Sequence, residues 1–199
     1  MTTSPLRWMI LPIAAVSLSA CGINSVPTKE EAAKAKWATV QAAYQRRADL
    51  IPNLVASTKG AAGFEQSTLE GVVQARASAT QVKLDAGDLN DPAKVEEFRQ
   101  AQGNVSSALG RLMVTVENYP TLQSQARFAD LMVQLESSEN RITTAIGDYN
   151  EAVQDYNTTI RTFPDIIGAK IIHGASPMTT FEAITPNANV APTVDFGKQ

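Results

Sequence analysis

The sequence predicts an all-α fold, an antiparallel up-and-down four-helix bundle with long helices. Three observations carry this. From Glu139 to Phe163 the apolar positions Ile142, Ile146, Tyr149, Val153, Tyr156, Ile160 and Phe163 recur at alternating steps of about three and four residues, which is one continuous helical seam. Three earlier stretches keep helical spacing as well, and the loops between them are short, so successive helices become antiparallel neighbours. The seam also demands partners, because a row of Ile, Val, Tyr and Phe along roughly 30 Å would otherwise face water, and helix propensity alone does not offset that. Within the seam, Asp148-Tyr149-Asn150 and Asp155-Tyr156-Asn157 stand seven residues apart. Each tyrosine therefore takes the same seam position, flanked by its Asp and Asn.

Taken in order, the chain opens on a processing signal. Arg7 precedes an apolar run from Trp8 to Val16, interrupted by Pro12 and followed by Leu18-Ser19-Ala20-Cys21-Gly22. A spanning helix needs about 20 apolar residues, so this run has the length of a secretory signal's apolar core. Leu18-Ser19-Ala20-Cys21 resembles the bacterial lipobox. That resemblance implies a lipoprotein signal peptide over residues 1–20, cleavage between Ala20 and Cys21, and a diacylglyceryl thioether on Cys21, with acyl chains such as palmitate as the anchor. An ordinary signal peptide or a short membrane anchor, with a chance cysteine, is the bland alternative. Gly22 after the cysteine, rather than Asp, favours the outer membrane if the cell is Gram-negative.

Residues 21–27 read as a tether. Thr28 with Glu31 is a capping box that marks the first helix start, and Trp37, Val40, Tyr44, Ala48, Ile51, Val55 and Thr58 carry the seam to Gly60 and Gly63. Pro52 lies inside this helix and deprives the Ala48 carbonyl of its partner; a kink outweighs a binding notch at Leu50-Ile51-Pro52-Asn53-Leu54. A second, alanine-rich helix runs from Phe64 or Ser67, where Ser67 and Glu70 offer another capping box, to about Leu84. Asp91 caps the third helix, with Pro92 at its first position, and Val95, Phe98, Gln102, Val105, Leu109, Leu112 and Val116 form its seam to Glu117. Gln102 alone breaks that register, and a register-fixing or solvent-reaching role outweighs a ligand site. Asn118-Tyr119-Pro120 stops the helix. Thr121 then caps a fourth helix of about 40 residues and roughly 60 Å. Ile166 to Ile172 reads as one or two helical turns on the bundle's end, which closes the helical region at residue 172. Residues 173–199 read as an extended, mostly disordered tail, ordered at most around Phe181.

Several segments together resemble the LemA family. They are Arg46-Arg47-Ala48-Asp49-Leu50-Ile51-Pro52-Asn53-Leu54-Val55, Thr68-Leu69-Glu70 with Ala75-Arg76-Ala77, Ala108-Leu109-Gly110-Arg111-Leu112, Glu117-Asn118-Tyr119-Pro120-Thr121-Leu122 and Glu139-Asn140-Arg141-Ile142. To these add Tyr149-Asn150, Asp155-Tyr156-Asn157, Arg161-Thr162-Phe163-Pro164 and Phe181-Glu182-Ala183. The match runs from about residue 35 to 183, in the right order. It implies a four-helix bundle over residues 28–172 in an extracytoplasmic, membrane-anchored placement, with roles in envelope processes or, for some relatives, membrane-compartment formation. It implies no defined reaction. Relatives carry a spanning segment where this chain has a lipobox, which leaves the anchoring membrane open.

The residues supply no catalytic set. His173 is the only histidine and Cys21 the only cysteine, so the usual zinc ligand sets cannot form, and no metal or other cofactor is expected. Glu-x-x-His pairs, Gly-rich phosphate loops and nucleophile elbows are absent. With 199 residues, 19% of them charged, and a net charge of -3, nucleic acid is not an expected partner. Glu136, Glu139, Asp148 and Asp155 could serve an envelope hydrolase, but pairing with Arg46, Arg47, Arg111 or Arg141 across helices is the plainer account. The expected protein is thus a lipid-anchored, non-enzymatic scaffold that binds an envelope protein or itself. Its candidate motif residues are Arg46, Arg47, Pro52, Asn53, Glu117, Asn118, Tyr119, Glu139, Asn140, Arg141, Tyr149, Asn150, Tyr156 and Asn157. Membrane remodelling by Ile166 to Ile172 is the competing reading.

Overall fold

Helix formation begins far upstream of Thr28. The structure, a computed structural model, describes residues 6–59 and 64–181, with side chains described from residue 24 onward within those ranges. One helix, α1, runs unbroken over Leu6–Thr58. The tether expected at residues 21–27 is therefore helical. The reason lies in packing: Val26 and Ala33 are fully buried, so the core face of α1 extends past the expected start. Thr28 does not cap; its hydroxyl donates back to the Asn24 carbonyl at 2.7 Å. The lipidation and cleavage positions, Cys21 and Ala20, fall on α1 outside the described side chains, and Gly60 and Gly63 lie outside the described residues.

Helix α2 spans Gln66–Gln81 and begins without a side-chain cap, so the Ser67–Glu70 capping box is not made. A connection with a 3₁₀ turn at Ala86–Asp88 leads to α3, Pro92–Val116. There Asp91 caps as its position dictates, accepting from the amides of Ala93 at 3.0 Å and Lys94 at 3.4 Å. The predicted 40-residue fourth helix is split. Pro120–Gln123 forms a short α4, in which Pro120 rather than Thr121 opens the turn, and α5 follows over Ala126–Thr159. Helix α6, Asp165–Gly168, passes into a π-helical turn at Ala169–His173, which Gly174 ends in the left-handed conformation, φ 56°. No strand occurs among the described residues.

Three cross-helix ion pairs set the α1–α5 register: Lys29–Asp155 at 3.1 Å, Lys36–Asp148 at 2.8 Å and Arg47–Glu139 at 3.0 Å. Residue numbers rise on one helix as they fall on the other, so the pair is antiparallel. The core divides in two. One half joins α1 from Leu50 onward, α2, α3, α4 and the first turns of α5. The other joins the upstream part of α1 to the second half of α5 and contains no α2 residue. Its third side is closed by Leu84 and Leu89 of the α2–α3 connection, Val95 and Phe98 of α3, and Met178 and Phe181 beyond the last turn.

Trp37 is the centre of that half. Its ring lies 5.5 Å from Phe98, 5.3 Å from Tyr149 and 5.9 Å from Phe181, and its Nε1 donates to the Leu84 carbonyl at 2.9 Å. The predicted seam of α5 is buried at Ile142, Tyr149, Val153, Tyr156 and Ile160, but Phe163 departs from it. The helix ends at Thr159, so Phe163 no longer follows the helical period and is 76% exposed. Removing the α3 cap by Asp91→Ala is expected to cost about 1 kcal/mol in denaturant unfolding, with the slope unchanged. Tyr44→Phe is expected to be neutral or stabilising in the same measurement, because the buried Tyr44 hydroxyl has no hydrogen-bond partner.

Candidate interaction site

Between the two apolar halves lies a polar layer built on Arg47, which is only 2% exposed. Its Nη1 donates to Ser106 Oγ at 2.8 Å and to Glu139 Oε1 at 3.0 Å. Its Nη2 donates to the backbone carbonyl of Gln102 at 3.2 Å and to Gln102 Oε1 at 2.8 Å. The guanidinium also stands 5.1 Å from the centre of the Tyr44 ring. A guanidinium can be buried here because its fork of donors meets five oxygens from α3 and α5, the fifth being Glu139 Oε2 at 3.3 Å. Gln102, the polar break in the α3 seam, is thus the acceptor that fixes Arg47, and with it the register of α1 against α3.

The Tyr-Asn repeats have a different use. Residues 175–181 lie extended along α5 and are gripped by it. Asn157 donates to the Met178 carbonyl at 2.8 Å and accepts from the Met178 amide at 2.9 Å, while Asn150 does the same for Phe181 at 2.8 and 2.7 Å. Tyr156 and Tyr149 donate to the carbonyls of Ser176 at 3.1 Å and Thr179 at 2.9 Å. The spacing follows from geometry: seven helical residues rise about 10.5 Å, and three extended residues span about 10 Å. Each Asn amide offers one donor and one acceptor, as a neighbouring strand would, so the backbone of this strap is satisfied without a sheet. The tail is therefore structured through Phe181, beyond what its composition suggests, and residues 182–199 lie outside the described residues.

Burial keeps these hydroxyls protonated: it raises the pKa of both Tyr149 and Tyr156, and pushes Tyr44 up to about 12. The folded chain thus holds protons that the unfolded chain releases near pH 10. The stability these tyrosines contribute is complete below that pH and is lost as pH rises through and above it.

Pro52 also acts inside the molecule. The Ala48 carbonyl it leaves without a helical partner accepts from Arg76 Nε of α2 at 2.7 Å. The proline notch is a docking point for α2, and Arg76 is its ligand. Pro52 and Asn53 themselves face outward. Near this contact a cleft of about 240 Å³ is lined by Tyr44, Arg47, Arg76, Lys83 and Gln102.

The remaining motif residues stay on the surface. Arg46, Asn140 and Arg141 are exposed and line a groove of about 690 Å³ between α1 and α5, together with Val133, Glu136 and Asp148. Arg46 donates to Gln134 Oε1 at 3.3 Å across its rim. Glu117 and Asn118 lie exposed at the end of α3, and Tyr119 packs its ring 5.0 Å from Phe64. The motif set thus separates into an internal group, Arg47, Glu139, Tyr149, Asn150, Tyr156 and Asn157, and an outward group centred on the groove. Ser106, Lys29, Lys36 and Arg76 were not among the sequence candidates. The lysines carry a signal, since they stand seven apart like the Asp residues they meet.

Glu139→Ala is expected to destabilise the fold by roughly 3 kcal/mol, the low end for a broken buried pair because Glu139 is 41% exposed. Replacing Arg47, Gln102 and Glu139 together by Met, Leu and Leu is expected to restore most of that loss. Asn150→Ala with Asn157→Ala removes four hydrogen bonds, each contributing about 1 kcal/mol. That variant is expected to speed amide exchange over residues 175–181 before the rest of the chain. A melt series from pH 8 to 11 is expected to lose stability above pH 10, less steeply in Tyr149→Phe.

The chain has recognisable relatives among known proteins. Over 157 residues, 71% of this chain, it is 34% identical to magnetosome protein MamQ 2 of Paramagnetospirillum magneticum and 31% identical to magnetosome protein MamQ of Magnetospirillum gryphiswaldense. It spans 58% of the length of each. It is 25% identical over 124 residues to protein LemA of Metamycoplasma hominis, covering 62% of this chain and 52% of that protein. The LemA family model matches residues 36–196, which takes in α2 to α6, the strap and α1 from Lys36 onward. The chain belongs to the LemA family.

Proposed function

We propose that this protein is a non-enzymatic scaffold of the bacterial cell envelope. In this reading it is an antiparallel four-helix bundle, anchored outside the cytosol by lipid on Cys21, that binds an envelope protein or a second copy through the α1–α5 groove. One observation carries the reading. Three of the four carboxylates that could have formed a reaction centre are paired across helices, Glu139 with Arg47, Asp148 with Lys36 and Asp155 with Lys29, the Tyr-Asn pairs hold the strap, and the fourth, Glu136, lines the groove. Arg46, Asn140 and Arg141 remain outward around one groove. The lipobox-like Leu18-Ser19-Ala20-Cys21 supports the anchor, since a slightly acidic bundle gains little from anionic lipid and depends on acyl chains for residence. Among the described residues no helix is long and apolar enough to cross a membrane.

A second reading, a part in forming or maintaining a membrane compartment, is favoured by the relatives named as magnetosome proteins. Both readings are open to the same experiment. A photo-crosslinker at Asn140 in the native, membrane-derived protein is expected to give one reproducible adduct, whereas one at the exposed Glu97 of α3 gives none. An envelope protein or a second copy as the adduct supports the scaffold, and a compartment component supports the second reading. A partnerless monomer from both positions overturns both. Mass spectrometry of the same preparation is expected to find an acylated Cys21 as the mature N-terminus, and an unmodified Cys21 in soluble material would sink the anchor.

A further inference from the structure

Exposed large apolar side chains are scattered over α2, α3 and α5 except in one place. Phe163, Ile167, Ile171 and Ile172 are 76, 53, 78 and 56% exposed, all within ten residues. Isolated apolar residues on a surface need no explanation, but four gathered on one short segment do.

The segment is not loose. Asp165 accepts a hydrogen bond from Ser25 of α1, Gly168 and Ala169 are buried, and the Ala175 amide returns to the Ala169 carbonyl at 2.9 Å. One side of α6 and the π turn is therefore fixed to α1, and the isoleucines are held outward by that fixation.

Its position names the occupant. Thr159, the end of α5, lies near the level of Ser25, as the Lys29–Asp155 pair requires, so α1 upstream of Ser25 leaves α5 behind and continues as helix to Leu6. Ser25 is only four residues, about 6 Å, from Cys21. The apolar facet thus sits beside the point at which acyl chains on Cys21 would enter the membrane. Cations frame it: Arg161 precedes Phe163 and Lys170 sits between Ile167 and Ile171, both exposed and without a salt bridge among the described residues. Of the neighbouring acids, Asp155 is paired with Lys29, and Asp165 keeps its charge but is turned toward Ser25 of α1. Apolar side chains with Arg and Lys at their edge suit the boundary between acyl chains and anionic headgroups, where long basic side chains reach the phosphates.

We propose that Phe163, Ile167, Ile171 and Ile172 form a lipid-contacting facet that seats the folded domain on the membrane holding its N-terminus. The proposal rests on the membrane placement given under the proposed function and adds a second point of attachment, which fixes the domain's orientation.

The test uses the purified full chain, reconstituted at low density into vesicles of phosphatidylcholine and phosphatidylglycerol. Ile171→Cys and Val114→Cys are compared, positions 78 and 64% exposed on the free protein, by their rates with a water-soluble maleimide read on the peptide that carries each site. Reaction at Ile171→Cys at least tenfold slower than at Val114→Cys supports the facet. Equal rates on protein that floats with the vesicles overturn it while leaving the anchor standing. Slowing that appears only at high protein density assigns the facet to a second copy and also overturns it. A chain that does not float removes the anchor and the facet together.

Discussion

The structure depends on how the aromatic half of the α1–α5 pair is kept from water without a full set of helices around it. Helix α2 contributes nothing there, so Trp37, Tyr44 and Tyr149 would be open on one side if only regular elements were available. Two non-helical segments close the gap: the α2–α3 connection, through Leu84 and Leu89, and the strap, through Met178 and Phe181. Both are tied by backbone hydrogen bonds, the Leu84 carbonyl to Trp37 and the Leu89 carbonyl to the Thr179 amide at 2.8 Å. Apolar burial drives the closure, and the polar groups of the coil segments are satisfied as they enter.

That division explains the polar layer. Where the helical half gives way to the coil-capped half, Arg47 crosses from α1 to Gln102 and Ser106 on α3 and to Glu139 on α5. A continuous apolar seam would tolerate sliding of these helices by a turn, whereas a buried guanidinium with five acceptor oxygens on two other helices favours one register. The exposed lysine pairs at Asp148 and Asp155 lie in high dielectric and add little individually.

Much of this was legible in the residues, and the limits have physical causes. The α3 seam from Val95 to Val116 and the Asp91-Pro92 start appear where the pattern places them, because periodicity and capping are local. The start of α1 was missed because Thr28 and Glu31 form a good cap only if the chain before them is not helical, and burial of Val26 decides that from elsewhere. Phe163 was misplaced because a seam extrapolated past Thr159 assumes a helix that has ended. The Asp-Tyr-Asn repeat was visible as a repeat and marked as significant. That its Asn residues bind a backbone some 20 to 30 residues downstream could not be read from spacing, since the strap itself has no periodic pattern.

The strap illustrates what kind of information such a clamp carries. The hydrogen bonds that Asn150, Asn157 and the two tyrosines make to the strap reach only its amides and carbonyls, while the side chains of Ser176, Pro177 and Thr180 point to solvent. The clamp therefore makes no demand on the side chains at those three positions, and along the strap the apolar core takes up only the plugs at Met178 and Phe181.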